Sequence, residues 1–95
     1  MIYFNVKEVA DHLVKKGYVY TLRHSNFNES EIAKLYNGKV VYVKLSLVDN
    51  VTASNQLTNY VADSGFKDVS SWYNLAMKLH KQKQTLYLYK AEIEK

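Results

Sequence analysis

The string Lys16-Gly17-Tyr18-Val19-Tyr20-Thr21-Leu22-Arg23 decides how this chain is read. Ahead of it, Val6, Val9, Ala10 and Leu13 recur at helical spacing. Asn5 stands at the start as a cap, with Glu8 three places on. Lys15 and Lys16 suit the negative end of the helix dipole, and Gly17 suits a left-handed C-cap. These signals predict a helix over 6–16. Residues 18–23 are β-branched and aromatic and read as a strand. Tyr18, Tyr20 and Leu22 share one face. Val19, Thr21 and Arg23 share the other, expected to be the wetter one.

Working outward, 24–31 is polar and reads as a loop. Asn37-Gly38 is a two-residue hairpin signal between arms at 32–36 and 39–48. In the second arm Val41, Val43, Leu45 and Leu47 alternate with Tyr42, Lys44 and Ser46, giving a core face and a wetter face. Asp49-Asn50 is expected to break that strand. A helix is expected over 53–63, with Leu57, Tyr60 and Val61 inward and Ser64-Gly65 as the stop. Asp68 or Ser70 caps a further helix over 69–81 with the stripe Val69, Trp72, Ala76 and Leu79. The last segment, 85–93, is apolar on both faces and reads as a strand in the interior of a sheet that pairs with the first. The order is α-β-β-β-α-α-β, a small α+β domain spanning 1–95 with a mixed sheet and flanking helices.

Composition narrows the function classes. Ninety-five residues make one domain with a thin core. There is no cysteine, which removes disulfides, thiol catalysis and cysteine-held zinc, and fits a cytoplasmic setting. His12, His24 and His80 are too scattered for a metal site, and no cofactor motif is present; the three glycines are dispersed. No signal-peptide pattern and no apolar run long enough for a membrane span is seen, so no membrane partner is expected. A net charge of +4 favours polyanions if the lysines cluster, and is equally the mark of an ordinary solvated surface.

Several strings, in their order, resemble the PUA-like superfamily and within it small archaeal-type ASCH-like domains. They are the opening string above, Leu35-Tyr36-Asn37-Gly38-Lys39-Val40 with its long following strand, Asp63-Ser64-Gly65-Phe66-Lys67-Asp68-Val69-Ser70-Ser71-Trp72, and Leu86-Tyr87-Leu88-Tyr89-Lys90-Ala91-Glu92-Ile93. The resemblance implies a β-barrel-like sheet with a cleft beside the strand at 18–23 that binds RNA or a modified nucleoside. The ASCH motif runs glycine, a lysine two residues on, then a glutamate and an arginine. Here Gly17 matches. Val19 stands at the lysine, Leu22 at the acid and His24 at the arginine, with Arg23 one place early. The lysine–acid pair tied to amide hydrolysis in such relatives is therefore missing, which favours binding over catalysis.

Arg23 is the chain's only arginine; its other cationic side chains are lysines. A guanidinium presents a rigid fork matched to phosphate, carboxylate or a base edge, whereas an ammonium is a mobile point charge. Arg23, Thr21 and His24 are thus the expected cleft residues. Lys39, Tyr42 and Lys44 are the expected phosphate and stacking contacts on a sheet face. The competing readings are an Arg23 paired with Glu29 or Glu31, and a Tyr42 packed across strands. Trp72 reads as core. Lys78, Lys81 and Lys83 either extend a basic patch or complement a helix dipole. The expectation is an RNA-binding, non-enzymatic module. The alternatives are a nucleoside hydrolase using His24, Glu29 or Glu31 as base, a tyrosine-faced homodimer, and a helix-turn-helix DNA binder built from 53–63 and 69–81.

Overall fold

The computed structural model describes residues 1–79 and 85–94. His80, Lys81, Lys83 and the expected end of the last helix at 81 lie outside the described residues. The elements are β1 (Ile2–Phe4), α1 (Lys7–Lys16), β2 (Tyr18–Arg23), β3 (Ser30–Leu35), β4 (Val40–Val51), two 3-10 turns (Ser54–Leu57 and Val61–Asp63), α2 (Val69–Leu79) and β5 (Leu86–Ile93). They build one five-stranded sheet of order β1-β3-β4-β5-β2, parallel only between β1 and β3. The sheet curls into a half-barrel with two helices, an α+β fold whose two edge strands are β1 and β2.

The junction that opened the reading forms as its residues dictate. Gly17 takes φ 84° and donates its N–H to the Leu13 carbonyl at 2.8 Å, which ends α1 and turns the chain into β2. β2 then pairs antiparallel with β5, and β5 is interior with β4 on its other side. Both faces of β5 are buried: Leu86 and Leu88 on one, Tyr89 and Ala91 on the other.

Elsewhere tertiary context overrode local signals. The N-cap of α1 is Val6, with no side-chain cap bond, not Asn5. The hairpin loop takes in Tyr36, so that Leu35 and Lys39 close a three-residue turn through Leu35 N–H to Lys39 O at 2.8 Å. The first arm starts at Ser30, inside the segment expected to be loop.

β4 does not stop at Asp49-Asn50. β5 holds it in register through Asp49↔Leu88, Asn50↔Tyr87 and Val51↔Leu86, with a bulge between Leu47 and Asp49. The bulge changes the phase of the alternation. Val43 and Leu45 therefore enter one core and Val51 the other.

Residues 53–63 form the two 3-10 turns instead of an α-helix. The Gln56 side chain explains much of this. Its carbonyl accepts from the N–H groups of Thr52 (2.8 Å) and Ala53 (3.0 Å), and its amide donates to the Asn50 carbonyl at 2.9 Å. Side-chain bonds of this kind offer the backbone an alternative to the helix ladder. Without that helix the helix-turn-helix arrangement is not formed. α2 itself appears as expected, capped by Asp68, whose carboxylate accepts from Ser71 N–H at 2.7 Å.

β1 was not expected; three residues are too few to show a period. It makes the observed order β-α-β-β-β-α-β. Its Ile2 and Phe4 are buried in the first core, with α1, Val19, Ala33, Val43 and Tyr89. The second core lies on the opposite face, under α2 and the 3-10 turns, around Leu22, Leu57, Trp72 and Leu88. Val19 and Thr21 are both buried, so the face of β2 expected to be wet is in fact the inner one.

Candidate functional site

The half-barrel is open between its two edge strands, and Arg23 spans the seam. Its Nη1 donates to the Tyr3 carbonyl of β1 at 2.9 Å, its Nε donates to the Thr21 hydroxyl at 3.0 Å, and the guanidinium carbon sits 4.8 Å from the centre of the Phe4 ring. Arg23 therefore ties one edge of the sheet to the other.

Around it is a cleft of about 290 Å³. Tyr3 and Phe4 line it from β1, Tyr20, Thr21, Leu22 and Arg23 from β2, and His24 from the loop that follows. Trp72, Leu75, Ala76 and Leu79 of α2 form the opposite wall, with Ser64 and Phe66 below. Phe66 and Trp72 stack with ring centres 6.3 Å apart and planes 13° apart. The loop carrying His24 is anchored by Tyr89. Its hydroxyl accepts from Phe27 N–H at 3.0 Å and donates to Asn26 at 3.2 Å.

The electrostatics are lopsided. Among the described residues no carboxylate pairs with Arg23 and none lines the cleft. Glu31, an expected partner, is instead bound to the N-terminal ammonium at 2.8 Å, which holds its carboxyl below the usual range. Desolvation pushes the Arg23 pKa down to about 10, so the half-buried group remains a cation at neutral pH. A half-buried charge matched only by a carbonyl, a hydroxyl and a ring face is partly desolvated without a counter-charge beside it. The bond to Tyr3 is structural, yet it uses a single N–H of the guanidinium fork.

Of the six residues singled out from sequence, Thr21, Arg23 and His24 meet in the cleft. Thr21 acts as an acceptor for Arg23, not as a ligand group at a wet surface. The other three are elsewhere. Tyr42 and Lys44 are exposed on the outer face of β4. Lys39 stands at the hairpin end, beside a shallow hollow between the hairpin and α1. Tyr3, Phe4, Leu75 and Leu79 were missed as site residues. The alternation Ile2-Tyr3-Phe4 was the signal for the first two, though it is very short. Glu29 and Glu31, the carboxylates a hydrolase would need here, are not among the cleft residues. The described residues hold no cluster of metal-ligating side chains, and no helix among them is long and apolar enough to cross a membrane.

No protein-family model, no curated protein and no solved structure matches this chain.

Proposed function

We propose that this chain is an RNA-binding module of PUA-like type that holds one unpaired nucleotide in the seam cleft, its phosphate on Arg23 and its base against the apolar wall. The observation that carries this reading is a half-buried guanidinium with no carboxylate partner among the described residues, facing a hollow whose walls are mainly apolar. A phosphate would supply the missing counter-charge in bidentate geometry. The hollow is at the small end of ligand pockets, where a single ring system fits and a duplex does not. Unpaired bases, which RNA presents in loops and ends, can leave the stack and enter such a hollow. The basic net charge of +4 and the likeness in the strings quoted above point the same way.

Fluorescence anisotropy with a short single-stranded RNA at low and moderate salt tests it. Arg23→Met, which keeps the bulk and removes the charge, is expected to lower affinity about tenfold or more. Arg23→Lys should recover only part of it, because the fork is lost. Absence of binding at low salt, or an Arg23→Met protein that binds as the wild type does, would overturn the reading.

A further inference from the structure

The outer face of the sheet is covered at one end only. α2 and the 3-10 turns pack over Leu22, Leu86 and Leu88, whereas the stretch formed by β1, β3 and the first half of β4 has no helix above it among the described residues. On that bare stretch Tyr3 is 51% exposed, Ile32 37%, Val40 50% and Tyr42 63%. Singly exposed apolar side chains need no explanation, but these adjoin one another. The register sets Tyr3 beside Lys34, Lys34 beside Val40, Ile32 beside Tyr42, and Ser30 beside Lys44.

We propose that this face is a track for the nucleotides flanking the one in the cleft, with bases stacked on Tyr3 and Tyr42 and phosphates met by Lys34 and Lys44. This inference rests on the nucleotide reading of the cleft. Tyr3 joins the two sites, because its carbonyl holds Arg23 and the residue also lines the cleft. A strand leaving the cleft past Arg23 meets Tyr3 first. From strand spacing and rise, Tyr3 and Tyr42 lie roughly 12 Å apart, too far for one base to touch both rings. The track therefore takes more than one nucleotide.

Charge selects the occupant. Among the described residues neither Lys34 nor Lys44 is paired with a carboxylate, while Lys7 is paired with Asp11 and Lys90 with Glu92. Interleaved rings and unpaired ammonium groups suit a single-stranded polyanion. A second copy would offer Glu92 and Glu94 to these lysines, so it is the competing occupant that oligomeric state separates; Lys34, set between Tyr3 and Val40, is the cation that favours a polyanion. Two carboxylates border the track at the Lys44 end: Glu92, across the strand from Lys44, and Glu94, which lies beside Tyr42 and accepts from the Ser30 hydroxyl at 3.0 Å, so Lys34 is the principal phosphate contact.

Binding of a mononucleotide, a dinucleotide and a hexanucleotide to the wild type, Tyr42→Ala, Tyr42→Phe and Lys34→Ala tests the track. The hexanucleotide is expected to bind more tightly than the mononucleotide. Tyr42→Ala should weaken it about tenfold, with Tyr42→Phe restoring the loss and mononucleotide affinity unchanged. Lys34→Ala should reduce the salt slope of hexanucleotide binding by about one. If the mononucleotide binds but length adds nothing and Tyr42→Ala changes nothing, the track is wrong and the cleft reading stands. If neither ligand binds, both fall. A dimer in light scattering that Tyr42→Ala disperses would give the face to a second copy and overturn the track.

Discussion

The two sides of the cleft are built on opposite principles. Its floor is locked: Gly65 packs directly on the backbone of α1, His12 meets Asp63 at 3.2 Å, and the Ser64 hydroxyl donates to the Val61 carbonyl at 2.7 Å while accepting from Phe66 N–H at 3.1 Å. The seam side is held by one guanidinium whose charge no carboxylate neutralises among the described residues. The chain's other pairings sharpen the contrast. Lys7–Asp11 joins two well-exposed side chains, where an ion pair is worth little. The pairing that would matter more, at the half-buried Arg23, is absent among the described residues. The floor is built from mutually satisfied groups, whereas the seam cation has no carboxylate beside it among the described residues.

The strongest way to break this contrast is at the floor. Gly65 has φ +85°, and a Cβ there would lie 2.8 Å from the Glu8 carbonyl oxygen and from Val9 Cα. Both contacts are backbone, so no side chain can move aside. Gly65→Ala should cost about 3 kcal/mol or more. In a chain of this length that lowers Tm by more than ~10 °C in a thermal melt. Arg23→Met should leave stability within about 1 kcal/mol of the wild type, because the lost bonds to Tyr3 and Thr21 are offset by the relief of a partly desolvated charge and by the retained apolar bulk. A Tm loss for Arg23→Met as large as that for Gly65→Ala would make the guanidinium a structural strap first and a ligand group second.

Thr21→Val is a smaller change and tests how the seam is held. It removes the acceptor of the Arg23 Nε–H while keeping the buried shape. The expected loss is about 0.5 kcal/mol of stability, together with a several-fold weaker RNA affinity in the anisotropy assay, since the fork is no longer oriented. Unchanged affinity would show that Tyr3 alone positions the guanidinium.

How much of this was legible in the sequence follows from where each signal resides. The helix–Gly17–strand junction and the interior strand β5 are written in consecutive residues and formed as read, and of the two cap candidates, Asp68 and Ser70, it is Asp68 that accepts from Ser71 N–H. The seam is not local. It needs β1, whose three residues carry no period and whose role appears only when Ala33 and Leu35 pair with Ile2 and Phe4. Position 23 stood out as the single arginine, whereas a cleft beside β2 was expected only from the resemblance and not from any residue pattern. The burial of Thr21 was not expected, because alternation cannot tell which face of an edge strand turns inward. Likewise nothing in 53–63 announces that Gln56 will bond its side chain to the end of β4 and displace a helix.

The mildest test acts on the wall of the cleft through its cap. Ser71 N–H, then the Ser71 hydroxyl, hold the Asp68 carboxyl below its ordinary range. A carboxyl whose folded pKa is depressed stabilises the fold above its unfolded pKa, and that contribution disappears as pH falls through the folded value. Asp68→Ala should therefore lower Tm slightly at neutral pH, and the gap to the wild type should close on acidification below the usual carboxylate range. α2 carries Trp72, Leu75 and Leu79 into the cleft, so the same loosening should be felt there as a small loss of affinity, much less than Thr21→Val produces. A gap in Tm that stays constant from neutral to acid pH would show that the cap does not act through its charge. The locked character of the α2 side would then come from Trp72 and Ala76 packing in the second core alone.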